Sequence, residues 1–124
     1  MALTLNGTTG IAGIAGSAGT PALQGNNDAN TGYFFATDTL GLSTAGSERL
    51  RVASDGKISI GTGTARQLLH LNVADSGAAN IVFTNTTTGT TASDGFIIGL
   101  TGGEDGQIWH QETKAIKFGT SDTE

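Results

Sequence analysis

Glycine interrupts this chain every few residues: 20 of its 124 positions carry it. Glycine and threonine both weaken helices, and no window holds an apolar stripe at i, i+3, i+4 and i+7 without a glycine inside it. The sequence therefore points away from a helical domain and toward short strands joined by tight turns. Side chains large enough to fill a core are scarce. Leu, Ile, Val and Phe together make up about 22% of the chain, just above the roughly 20% below which highly charged chains stay disordered. The formal net charge is a modest -5, so disorder is rejected. A small chain still leaves much of its surface exposed, and sharing one core between several copies answers both shortages.

Strand signals are many and short. Arg49 to Val52 alternates polar and apolar residues, and Lys57 to Ile60 repeats the pattern with Ile58 and Ile60. Between them stands Ser54-Asp55-Gly56, and two alternating runs joined by an Asp-Gly turn are the strongest short-range hairpin signal. Leu69, Leu71 and Val73 alternate with His70 and Asn72; Ile81 and Phe83 follow the same rule. Phe96 to Leu100, Gln107 to Gln111 and Ala115 to Phe118 complete a set of roughly nine expected strands.

The first 31 residues differ in character. Leu3 to Leu5 reads as a short strand, Ile11 to Gly19 is a tract of Gly, Ala, Ile and Ser, and Asn26 to Thr31 is polar and turn-like. Its large side chains are too thinly spaced for a core, and Pro21, the one proline of the chain, is too little for a collagen-like triple helix. Residues 32–48 and 95–124 form an imperfect repeat, each opening on Gly and a run of large apolar residues and closing on a small polar loop ending in Glu. The expected division is an extended N-terminal segment 1–31, a first β module 32–73 and a second β module 74–124. The second copy stops where the strand matching Arg49 to Val52 should begin, so the protein is expected to continue past Glu124.

Composition and motifs argue against chemistry. The absence of cysteine removes disulfides, thiol catalysis and Cys-type zinc sites. Six scattered basic residues do not make a nucleic-acid patch, and no apolar run approaches the roughly 20 residues of a membrane helix. His70 and His110 have no metal-ligand spacing. Gly61 to Thr64 lacks the lysine and the helix of a phosphate loop. Asp28, Asp94, Glu104 and Asp105 read as turn residues, and Tyr33, Phe34, Phe35 and Trp109 as buried contributors of apolar area, with a carbohydrate-lining platform as the alternative. No enzyme activity and no cofactor are expected.

The run TGYFFATDTLGLSTAGSERLRVASDGKISIGTGTARQLLHLNV, residues 31–73, resembles a recurrent pattern in bacteriophage fibre proteins, especially those of marine phages. There a Gly/Ser loop leads to an acidic-basic strand, a Gly-containing turn, an Ile-Gly-Thr-like segment and a Leu-rich strand. The opening MALTLNGTTGI followed by Gly19 to Leu23 is similar to the starts of many such proteins. The resemblance implies an all-β chain of short strands and hairpins in an elongated, intertwined homotrimeric virion fibre module. Its role would be to space a host-recognition tip from the particle. The expected partners are further copies of the chain and other virion proteins, with no nucleic acid and no membrane insertion. Leu3, Leu5, Ile11, Ile14 and Leu23 are the expected attachment residues at the virion end. Leu40, Leu42, Leu50, Val52, Ile58, Ile60, Leu69, Leu71 and Val73 are the expected trimer core. The alternative function is a receptor- or glycan-binding module.

Overall fold

The computed structural model describes residues 4–6 and 10–120. Among them there is no helix. Eleven strands occur: β1 Thr4–Asn6, β2 Gly10–Ala12, β3 Leu23–Gly25, β4 Asp28–Ala36, β5 Thr39–Thr44, β6 Ser47–Val52, β7 Ile58–Ile60, β8 Leu69–Leu71, β9 Ala79–Phe83, β10 Phe96–Leu100 and β11 Gly106–His110. The chain divides into two compact units at Ala74/Asp75. The first unit holds the β1–β2 pair and a six-stranded sheet in the order β3-β4-β5-β6-β7-β8; the second holds a three-stranded sheet in the order β11-β10-β9.

The six-stranded sheet is laid down in chain order because tight turns join its strands. Two residues connect β5 to β6, Ala45 at φ 51 and Gly46 at φ 74. Positive φ at both central positions is the hairpin geometry whose twist matches that of the flanking strands. The turn is tied to β4 by Gly46 N–H donating to Asn30 O at 2.9 Å and Ala45 N–H to Thr31 Oγ1 at 3.2 Å. Asn27 and Asp38, also at positive φ, serve the β3–β4 and β4–β5 turns, and both residue types tolerate that conformation. The Asp-Gly hairpin has the expected antiparallel pairing, with Leu50 opposite Ile60 and Val52 opposite Ile58. β3 and β4 carry residues 23–36 into this sheet, so the last part of segment 1–31 is strand rather than free extended chain.

Two irregularities break the simple meander. A bulge between Leu42 and Ser43 on β5 opposes Leu50 to Leu42 but Glu48 to Ser43, leaving Arg49 as the extra residue on β6. Then β8 pairs with β7 in parallel. A parallel neighbour cannot be reached by a hairpin, so residues 61–68 cross over a face of the sheet. That face carries Gly63 beside the Glu48–Arg51 pair and Thr64 O 3.2 Å from His70 Nδ1.

The buried residues of the first unit lie on this same face. Phe34 is 5% exposed, Ser43 2% and Ser59 1%. Phe34 stands opposite Gly41, and a Cβ there would overlap its ring.

In the second unit β10 is the central strand, with Ile98 opposite Ile81 on one side and Ile108 on the other. Ala115 to Phe118, expected as a strand, is none. Its alternation is real, but no strand pairs with it, and Phe118 is 86% exposed. The imperfect repeat fails for the same reason: the position of Leu40 to Leu42 in the first copy is a strand, and that of Ile116 to Phe118 is not.

Two substitutions test these local arguments. Gly41→Val should lower stability by about 1–3 kcal/mol, the usual cost of overpacking, read as a lower urea midpoint. Ala45→Gly should raise it by about 0.5–1 kcal/mol, because it relieves a left-handed residue at a smaller entropic cost.

Candidate functional site

Side chains alternate across a strand, and directly paired residues share a face. Applied to the observed register, this rule collects the large apolar residues of the six-stranded sheet on the side opposite Phe34. One row runs Leu23, Tyr33, Leu42, Leu50, Ile60, Leu71; the next runs Phe35, Leu40, Val52, Ile58, Leu69. Eight of the nine expected core residues fall in these two rows, and Val73 lies just beyond β8. Three residues outside that expectation complete the face: Leu23, expected to serve attachment, and Tyr33 and Phe35, whose alternation is masked by Phe34 between them.

Among the described residues of the first unit, no strand or loop is packed over this face. Tyr33 is 50% exposed, Leu23 49%, Leu69 51% and Ile60 43%. Of the four aromatics expected to be buried, Phe34 is buried within the single chain, while Tyr33, Phe35 and Trp109 are exposed in it. Of the other expected attachment residues, Leu5 pairs with Ile11 between β1 and β2, Ile14 is exposed, and Leu3 lies outside the described residues.

The covered side is polar and self-contained. Glu48 and Arg51 are three residues apart and would point to opposite faces of a regular strand. The bulge at Arg49 shifts the alternation by one and brings them together. Arg51 Nε and Nη2 donate to the two Glu48 carboxylate oxygens at 2.5 and 2.6 Å, a bidentate pairing. The hydrogen bond from this half-buried carboxylate raises the Arg51 guanidinium above its ordinary value. Asp55, in the exposed hairpin turn, is held below the usual carboxylate range by its hydrogen bond with Lys57, Nζ to Oδ2 at 2.7 Å. That stabilisation is present above the ordinary carboxylate range and is lost as pH falls through the depressed value.

In the second unit both faces of the sheet keep exposed apolar side chains. One side of its sheet holds Ile81, Phe83, Phe96, Ile98, Leu100, Ile108 and His110. Phe83, Phe96 and His110 form a tilted aromatic row with centroid separations of 6.1 and 5.9 Å, and His110 Nδ1 accepts the Glu112 N–H at 3.1 Å. Ile81, Phe83, Ile98, Leu100 and Ile108 are all exposed.

Among the described residues no three His, Cys, Asp or Glu side chains are grouped to hold a metal. Two of the carboxylates expected in turns accept backbone N–H groups close by in the chain, Asp94 from Thr91 at 2.7 Å and Asp28 from Asn30 at 3.4 Å.

One buried group remains unpaired: Ser59 Oγ finds no hydrogen-bond partner among the described residues. Ser59→Ala should therefore raise stability by up to about 1 kcal/mol, measured as a higher melting temperature with the oligomeric mass unchanged.

Comparison with family models, curated proteins and solved structures finds no match to this chain.

Proposed function

We propose that this chain is a non-enzymatic structural segment of a virion fibre, and that its exposed apolar face is the shared core of a homotrimer. The observation that carries this reading is the inverted burial of the first unit. Ser43 and Ser59 are covered, while Leu23, Leu40, Ile58, Ile60 and Leu69 are exposed. Eleven apolar side chains stand in two adjoining rows, seven of them exposed and four partly covered, and a contiguous exposed apolar patch of this kind marks an interaction surface. The patch carries no formal charge, so a second copy presents a compatible surface. The number three comes from the resemblance to phage fibres; the face itself asks only for further copies.

The topology supports an extended module. Each step from β3 to β8 moves one strand across the sheet, so the five steps advance about 24 Å at roughly 4.8 Å each. The resemblance places the N-terminal residues at the particle and a host-recognition function elsewhere in the fibre.

Light scattering of the folded protein should return about 37.5 kDa, three times the 12.5 kDa chain. A folded monomer at micromolar concentration overturns the reading. Leu50→Asp should abolish the trimer, because a carboxylate in each copy of the shared core costs on the order of several kcal/mol. A Leu50→Asp trimer with an unchanged melting temperature would show that this face is not the core.

A further inference from the structure

The two sides of the three-stranded sheet differ in chemistry, and the second side mixes amides with apolar residues. It carries Asn80 and Val82 on β9, Ile97 and Gly99 on β10, and Gln107 and Trp109 on β11. Asn80 and Gln107 lie two strands apart, one on each side of Gly99. Their side chains meet over the glycine, Gln107 Nε2 donating to Asn80 Oδ1 at 2.9 Å. A Cβ at residue 99 would overlap Asn80 Oδ1 and the neighbouring backbone, so glycine is what allows the bridge. One rung away Val82, Ile97 and Trp109 form an apolar row, with Val82 52% and Trp109 59% exposed.

We propose that this face binds a neutral hexose unit of a glycan. The exposed indole offers a flat apolar platform for the C–H face of a pyranose ring. The amide bridge lies two strand residues from it, about 7 Å, within reach of the hydroxyls at the ring's rim. Only one amide N–H and one amide oxygen are used in the bridge, so both side chains keep donors and acceptors for a ligand. None of the six residues is charged, which selects neutral sugars over acidic ones. An apolar protein partner would leave those spare amide groups desolvated and unpaired, at a cost; a sugar satisfies them. The proposal rests on the fibre reading in one respect, that the side of this sheet carrying Ile81, Phe83, Ile98 and Ile108 is the one covered on assembly.

Trp109 is the only tryptophan of the chain, so its emission reports on this face alone. The full chain is titrated with maltotriose, cellotriose, triacetylchitotriose and galactobiose, with glycerol as the control for solvent effects. Affinities are measured in parallel by calorimetry, and light scattering is recorded on the same samples. A saturable emission change with at least one sugar and none with glycerol is expected. Trp109→Ala should weaken calorimetric binding by about tenfold, in line with the loss of one aromatic contact, and Gln107→Ala should also weaken it, with oligomeric mass unchanged in both. No saturable response to any of the four sugars, or binding unaffected by both substitutions, overturns the proposal. A trimer that binds none of the sugars sinks the sugar site and leaves the fibre reading standing. A monomer that binds sugar through Trp109 and Gln107 sinks the fibre reading and supports the site.

Discussion

Cross-strand pairing sorts every side chain of the six-stranded sheet onto one of two faces, and the sorting runs against ordinary burial. Ser43 and Ser59 are covered, while Tyr33, Leu23 and Leu69 are about half exposed. Apolar burial supplies the dominant favourable term in folding, roughly 25 cal/mol per Å². A single chain leaves much of that term uncollected on its largest apolar surface. Its backbone hydrogen bonds hold the strands in register, but each contributes only about 1 kcal/mol net. The unit is a well-specified surface more than a complete core.

What the chain does complete on its own is the polar side. Phe34 lies over Gly41, the bulge at Arg49 brings Glu48 to Arg51, and the 61–68 crossover covers the row that holds Ser59 and His70. These devices fix which face is closed, and they leave the other face defined by default. The second unit follows a different plan, with one mostly apolar side that also carries His110 and one side mixing an indole with a bridged amide pair.

The hairpin around Asp55-Gly56 was legible because turn and alternation agree there, and the apolar residues on either side of it then fall on one face. The all-β class was legible from the glycine and threonine that interrupt any helical stripe, together with the short alternating runs. Several features were not. Tyr33-Phe34-Phe35 shows no alternation, so its split between two faces appears only from pairing with Leu40, Gly41 and Leu42. The bulge leaves no local signature in Ser47 to Val52, and without it Glu48 and Arg51 read as facing apart. The parallel approach of β8 depends on a crossover that no short-range pattern encodes. Ala115 to Phe118 shows the converse: alternation proposes a strand, but only a partner makes one.

The order of the six strands also governs timing. From β3 to β7 every strand pairs with its sequence neighbour, so the contacts are local and form early; β8 waits for the crossover to close. A newly made chain therefore displays its apolar rows before any partner has docked. In that interval, encounter with a sister chain competes with nonspecific clumping, and both rise with concentration. If these rows are a shared core, as proposed, chains made close together on one message would meet each other first, and the success of assembly would lie in the geometry of synthesis as much as in the finished sheet.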